Sequence, residues 1–321
     1  LGVHVVMTGD RPNSIPPSIV STVQRRIVLR LADAEEYLLL GVPKDVLSPT
    51  SPAGRGVLEG TEIQFAILGD SPNVAVQARE IQTLATSMRR QPGALPEPVG
   101  KLADQVRLSE LPIAPAGQAA IALDFAGLSP VNIPSQGALM LSGPPGSGRT
   151  TALATISTAL AGSTPRMRQV LLTAPRSTLS TLPHWFEQAS GPAAVATLAD
   201  RLAGELEGRR VEPIALFVEH VTEFTGTEAE AALDRLIRIA IREECFVVGE
   251  AETTTWSQAW TLAQPFKAGR TGLLLVPGDM DGDTLLGTPL GRLRRADFPA
   301  GRGFYIRSGR ARKLQVAIGG Q

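Results

Sequence analysis

The chain has 321 residues and a mass of 33.9 kDa, room for about two domains at ~150 residues each. With 43% hydrophobic and 19% charged residues it is no disordered polymer, and its 32 glycines and 25 prolines follow no collagen-like period. Its 31 Lys plus Arg balance 31 Asp plus Glu, which excludes a global basic field drawing the chain onto nucleic acid or anionic membrane.

The chain opens at Leu1 inside an apolar run (Val3, Val5, Val6) that predicts a strand rather than a signal peptide, so it is expected to begin partway through a larger polypeptide. Three blocks then recur, in the same order, at the two ends of the sequence. Leu39-Leu40-Gly41-Val42-Pro43 matches Leu285-Leu286-Gly287-Thr288-Pro289, and Pro-Ala-Gly-Arg-Gly stands at 52–56 and again at 299–303. Gln64-Phe65-Ala66-Ile67 matches Gln315-Val316-Ala317-Ile318, each a predicted closing strand. Residues 1–70 therefore read as the end of one module and 99–321 as a whole second copy. The recurrence of Arg55 and Arg302 is open to two explanations, a shared turn geometry or a shared ligand.

Between the copies, residues 71–98 read as a linker. It holds helical spacing (Val76, Ile81, Leu84, Met88) and then the breakers Pro92, Gly93, Pro96 and Pro98. In the second copy, apolar runs at 138–141, 170–173, 214–218, 246–248 and 273–276 predict strands with helices between them. One helix opens on a capping-box pair, Thr227 and Glu230, and carries Leu233, Leu236, Ile237, Ala240 and Ile241 along one face. That alternation predicts an α/β fold with a mostly parallel sheet flanked by helices. No run of 18 apolar residues occurs, so no membrane-spanning helix is expected. The single cysteine, Cys245, lies in an apolar run and reads as a buried core thiol in a reducing compartment.

Gly143-Pro144-Pro145-Gly146-Ser147-Gly148-Arg149-Thr150 has the spacing of a phosphate-binding loop, with Arg149 where the motif has lysine. With Thr151 these residues are the candidate nucleotide contacts. In the intact motif, glycines let backbone N–H groups close around phosphates, lysine reaches the β and γ phosphates, and the hydroxyl, here Thr150, binds Mg²⁺. ATP and Mg²⁺ are thus the cofactors the motif implies. Arginine keeps the charge but replaces a slim ammonium with a planar fork.

The acidic strand that completes such a site is expected at Ile214-Ala215-Leu216-Phe217-Val218-Glu219-His220. Glu219 stands where an aspartate would hold the Mg²⁺ shell, one methylene longer. His220 stands where a glutamate would activate water; it reads either as a neutral imidazole base or as a strand-end histidine satisfied by a hydrogen bond. Three substitutions in one site predict weak or absent hydrolysis, with nucleotide binding retained as an option.

The loop, the altered acidic strand, the turn-rich approach expected at 113–132 and the closing Pro-Ala-Gly-Arg-Gly segment together resemble the FtsK/SpoIIIE family. The run Gly2-Val3-His4-Val5-Val6-Met7-Thr8-Gly9-Asp10-Arg11-Pro12 adds to the likeness, since it resembles that family's strand after the acidic one, although Gly9-Asp10 depart from its pattern. Tandem modules with substituted loops look most like the EccC-type ATPases of type VII secretion. The resemblance implies a RecA-like P-loop NTPase fold preceded by the C-terminal part of another such module, ring assembly through adjacent modules, and a cytoplasmic location within a membrane-anchored parent. It also implies a regulatory or substrate-docking role, with a secreted protein's peptide as partner. Arg11 reads either as an arginine reaching a neighbour's nucleotide or as a turn arginine in a structural hydrogen bond.

The alternative is an active, ATP-driven DNA translocase unit. It rests on eight basic residues from 292 to 313 (Arg292, Arg294, Arg295, Arg302, Arg307, Arg310, Arg312, Lys313) against one acid, Asp297. The stretch reads first as a solvated arginine-rich hairpin, because stacking aromatics are scarce there, and otherwise as an anion or nucleic-acid contact. His4 and His184 lack the neighbours of a metal site. Trp256 and Trp260, four apart, fall on one face if residues 255–263 are helical, and read first as core packing, with a partner groove as the alternative.

Overall fold

The computed structural model describes residues 5–11, 14–89, 100–208 and 213–319, which fall into two compact units split between Glu97 and Pro98. His4, Pro12 and the breakers at 92–98 lie outside the described residues.

In the first unit a short helix α1 (Pro17–Val20) precedes β1 (Ile27–Leu29), α2 (Glu36–Leu39), β2 (Arg55–Leu58) and β3 (Thr61–Gln64). The strands form an antiparallel sheet in the order β1-β2-β3 over a small core of Val28, Tyr37, Val42, Leu47 and Val57. Tyr37 is buried, and its hydroxyl accepts the Leu31 N–H at 2.8 Å, which satisfies its polar end. Of the expected N-terminal strand, the described residues Val5, Val6 and Met7 are exposed and lie outside any strand. The closing strand β3 also stops at Gln64, leaving Phe65 and Ile67 exposed. The helical spacing expected in 71–98 appears as α3 (Val74–Arg89), a full 16 residues long, with Ile81 and Leu84 exposed.

The second unit contains β4 (Val106–Arg107), β5 (Gln118–Asp124), β6 (Pro130–Pro134), β7 (Gly137–Gly143), α4 (Arg149–Ser163), β8 (Arg168–Thr173), β9 (Trp185–Ser190), α5 (Pro192–Gly208) and β10 (Ile214–Val218). There follow α6 (Ala229–Arg242), β11 (Phe246–Glu252), α7 (Trp260–Gly269), β12 (Thr271–Leu275), α8 (Asp281–Leu286), β13 (Arg302–Arg307) and β14 (Arg310–Ile318). One sheet runs β6-β5-β14-β13-β12-β7-β11-β10-β8-β9, with β4 beside the end of β14. From β12 to β9 every pairing is parallel, and from β12 outward to β6 every pairing is antiparallel.

Strand periodicity divides the core. Met140, Leu216 and Val247 face one layer with α5, α6 and α7, while Leu139, Leu141, Ala215, Phe217, Phe246 and Val248 face the other with α4. Both faces are covered, which is why these strands read as continuous apolar runs. Cys245 is buried, and burial pushes its thiol up.

Several sequence expectations change. Residues 113–132, expected as a turn-rich approach, hold β5 and part of β6, because Ala119, Ala120, Ile121 and Ala122 are all buried. Small alanines hide this strand from a pattern based on large side chains. The capping pair is shifted: Glu230 accepts from the Gly226 N–H at 2.7 Å rather than from Thr227, and α6 begins at Ala229. Trp256 and Trp260 do not share a face, since α7 starts only at Trp260. Trp256 is buried edge-on to Phe266, with ring centroids 5.7 Å apart, whereas Trp260 is exposed.

The two Pro-Ala-Gly-Arg-Gly segments adopt one geometry. In each, the Arg N–H donates to the Pro carbonyl (Arg55 to Pro52, 3.1 Å; Arg302 to Pro299, 2.9 Å). In each, the glutamine of the closing strand donates to the Ala carbonyl (Gln64 to Ala53 and Gln315 to Ala300, both 3.0 Å). The central glycine has a left-handed φ in both, +81° at Gly54 and +78° at Gly301, and its carbonyl accepts from the residue after that glutamine. The arginine side chains do different things: Arg55 pairs with Glu62, and Arg302 is buried against the carbonyls of Leu102 and Ala103 and the carboxylate of Asp104. Turn geometry, not a common ligand, accounts for the motif.

Asp124, at the end of β5, is buried. Burial alone would raise its carboxyl, but hydrogen bonds from Arg312, from the Gly127 N–H and from Ser129 hold it down at about 2, against an ordinary 3.8. A depressed carboxyl stabilises the fold above its unfolded value and loses that contribution as pH falls through the folded value. Asp124→Asn is therefore expected to cost about 1–2 kcal/mol at pH 7, since Arg312 is half exposed and partly screened. In denaturant titrations at a series of pH values, the difference from wild type closes between pH 4 and pH 2.

Candidate functional site

The residues singled out in the sequence gather at the carboxyl ends of the parallel strands, where open α/β sheets place ligand sites. β7 ends at Gly143 and the chain passes through the glycine loop into α4. Gly146 and Gly148 have φ of +76° and +94°, a curl that turns successive backbone N–H groups to one side. Helix α4 begins at Arg149 with no side-chain cap and no acidic residue in its first turn, so its leading N–H groups and dipole face outward uncompensated. The Ser147 hydroxyl, though buried, has no hydrogen-bond partner. Thr150 and Thr151 are exposed beside it.

The loop is braced from behind. The Gly301 N–H donates to the Ser147 carbonyl at 2.8 Å, and a Cβ on Gly148 would come within 3.2 Å of the Gly301 nitrogen. The closing Pro-Ala-Gly-Arg-Gly turn is thus the support on which the phosphate loop rests. Arg302, within it, anchors that turn to residues 102–104 rather than to any external anion.

Arg149, the one cation of the loop, is engaged by a carboxylate on β11. Its guanidinium donates to Glu250 Oε1 at 2.5 Å, and its side chain is only 15% exposed. Glu250, on β11, is 2% exposed in this pair, and its Oε2 accepts the His220 backbone N–H at 2.9 Å. Burial pushes the Glu250 carboxyl up, while the His220 N–H and the Arg149 and His220 charges pull it back. His220 adopts a left-handed φ of +54°, which turns its N–H toward Glu250. Its ring lies 3.9 Å from Glu219 and 3.6 Å from Glu250. Glu219 is itself buried, and its Oε2 accepts the Thr173 hydroxyl at 2.6 Å.

The fold therefore brings together Arg149, Glu219 and His220, as the sequence spacing leads one to expect, and adds two groups that sequence reasoning missed: Glu250 and Thr173. One sign of Glu250 was present, a carboxylate inside Phe246-Val247-Val248-Gly249-Glu250-Ala251, where a fully buried strand leaves no solvent for a charge. Thr173 carried no comparable signal. Elsewhere, Arg11 is exposed, its carbonyl accepting from Ser14, and His184 Nε2 lies 3.4 Å from the Thr158 hydroxyl. Among the described residues no group of three or more His, Cys, Asp or Glu is placed to hold a metal ion.

The basic stretch from 292 to 313 is not a continuous free surface. Arg302 is buried, Arg312 pairs with Asp124, and Lys313 lies over the rings of Phe125 and Phe298 at 4.8 and 4.5 Å. A separate cleft of about 740 Å³ opens at the other end of the sheet, lined by Gly137, Ile241, Phe246, Pro265 and Arg307. It is no part of the loop site.

A parallel sheet with a glycine loop between β7 and α4 is the P-loop NTPase fold. The solved structures it is similar to include ATPase regions of type VII secretion proteins. The chain is similar to the ATPase 2 and 3 region of EssC from Geobacillus thermodenitrificans (TM-score 0.68, 17% identity, 97% of this chain and 64% of that one). It is similar also to ATPases 2 and 3 of EccC from Thermomonospora curvata, solved with a signal sequence peptide (TM-score 0.63, 20% identity, 95% and 60%). The cytoplasmic domain of the T. curvata EccC matches at TM-score 0.60 and 21% identity over 91% of this chain and 37% of that one. The chain thus spans between about a third and two thirds of these structures. No protein-family model and no curated protein matches the sequence. Among the described residues no helix is long and apolar enough to cross a membrane.

Proposed function

We propose that the chain is part of an FtsK/SpoIIIE-type secretion ATPase, in which residues 99–321 form a nucleotide-binding module that has lost turnover and serves regulation or substrate docking. The observation that carries this reading is a phosphate-loop curl whose one positive side chain is already engaged by a buried carboxylate, Glu250. The curled glycines and the uncapped helix fit a polyphosphate. The backbone of 145–151 would hold it, and the exposed Thr150 hydroxyl would meet its Mg²⁺. ATP would supply binding energy rather than mechanical work.

Hydrolysis needs charge on the β and γ phosphates, a metal-holding carboxylate and a group to orient water. Here Arg149 is held by Glu250, Glu219 by Thr173, and the His220 ring lies against two carboxylates. Each arrangement lowers the rate. Residues 1–70 fit the end of a preceding module: their closing turn matches the second copy bond for bond, yet Phe65 is exposed where its counterpart Val316 is buried by the rest of the sheet. The partners of such a chain are neighbouring modules of a membrane-anchored, cytoplasmically exposed parent and a secreted protein's peptide; the similar T. curvata EccC region was solved with a signal sequence peptide. The basic stretch gives DNA translocation only partial support: Arg302, Arg312 and Lys313 are engaged within the fold, while Arg292, Arg294, Arg295, Arg307 and Arg310 are exposed.

Calorimetric titration with ATP and Mg²⁺, with phosphate release followed in the same samples, tests the reading. Saturable binding without release above the protein-free rate is the expected result. Sustained turnover would restore the motor reading, and absence of binding would leave a scaffold of P-loop ancestry.

A further inference from the structure

The Glu250 carboxylate is placed where it competes with nucleotide. It faces an arginine at the position from which the P-loop cation normally reaches the β and γ phosphates, it is almost wholly buried, and it holds that arginine at 2.5 Å. Glu250 also ties the loop to the acidic strand: one oxygen takes Arg149 at the start of α4, the other takes the His220 N–H after β10. A buried carboxylate that meets a guanidinium and a backbone N–H satisfies the same two kinds of donor that an oxygen of a terminal phosphate would engage.

We infer that Glu250 is an internal stand-in for the terminal phosphate, and that nucleotide binds in full only by drawing Arg149 away from it. This inference rests on the nucleotide-binding reading above and names its regulator. Glu250 is a positioning residue: it acts through Arg149 and sets both the affinity and the preference for a triphosphate. ADP, lacking the group that competes most directly for the arginine, gains less from its release.

The test uses wild-type chain, Glu250→Gln, Arg149→Ala and the double variant, with ATP and ADP affinities measured by calorimetry in Mg²⁺. Glutamine keeps a carbonyl to accept the His220 N–H but withdraws the charge. Glu250→Gln is expected to tighten ATP by about tenfold and ADP by less than about threefold, as expected when a buried ion-pair competitor is removed. In the Arg149→Ala background the same change is expected to tighten neither. Glu250→Asp, one methylene shorter and still charged, serves if the glutamine variant fails to fold, and is expected to tighten ATP by an intermediate amount.

Wild type that binds ATP, with Glu250 variants that bind it no better, overturns the inference and leaves the nucleotide-binding reading standing. Equal tightening with and without Arg149 also overturns it, since Glu250 would then act by direct repulsion. Binding seen only in the Glu250 variants supports the inference and defeats the reading for the natural chain. If no variant binds ATP, both fall.

Discussion

Gly303→Ala is expected to destabilise the second unit by about 3 kcal/mol or more, the upper end for overpacking. Gly303 on β13 faces Leu275 of β12 in the antiparallel register, and a Cβ there would sit 2.0 Å from the Leu274 carbonyl oxygen and 2.8 Å from its carbon. Those are backbone atoms of a strand clamped by β7 on its other side, so no rotamer change relieves the overlap. The strands must part, and β13 connects the parallel half of the sheet to β14, β5 and β6. Urea unfolding followed by circular dichroism measures the loss. Wild-type-like stability would mean that the two strands are not in this register.

Gly148→Val is expected to weaken ATP binding by at least tenfold while costing about 1–3 kcal/mol of stability, the strain of a β-branched residue in the left-handed region. At φ +94° and ψ 22° this residue closes the loop onto the N-terminus of α4. Any Cβ also presses on the Gly301 nitrogen, which donates to the Ser147 carbonyl, so the brace and the curl are lost together. The stability cost and the binding loss are separable, because calorimetry can be run well below the melting temperature. An affinity unchanged in a folded variant would place the nucleotide elsewhere than on this loop.

How far this site was legible follows from sequence distance. The phosphate loop is contiguous, and each of its residues announces a backbone or charge requirement, so Gly143 to Thr150 could be read directly, as could the apolar strand ending in Glu219-His220. The partner of Arg149 lies 101 residues away on β11, and no spacing rule links an arginine to a carboxylate across two parallel strands. The repeated Pro-Ala-Gly-Arg-Gly blocks were visible as a repeat but silent about cause. Only the hydrogen bonds of Gly54 and Gly301 decide for turn geometry, and only the buried contacts of Arg302 remove it from the basic surface.

The fold was legible where burial on both faces writes an unbroken apolar run, as in β7, β10 and β11. It was hidden at the margins. β5 carries three alanines among its seven residues, and its strand character comes from its neighbours β14 and β6, while β9 alternates partly exposed positions at the sheet edge. The Trp256 and Trp260 pair misled because four-residue spacing has meaning only inside one helix, and a turn separates them.

The central claim is that this module holds nucleotide without spending it. The most direct measurement is to incubate the chain with ATP and Mg²⁺, remove free nucleotide by rapid desalting, and chromatograph what remains bound after denaturation. The account predicts that bound nucleotide is recovered as ATP, at up to one per chain and unchanged over hours. Recovery as ADP, with a matching amount of phosphate released, would contradict it.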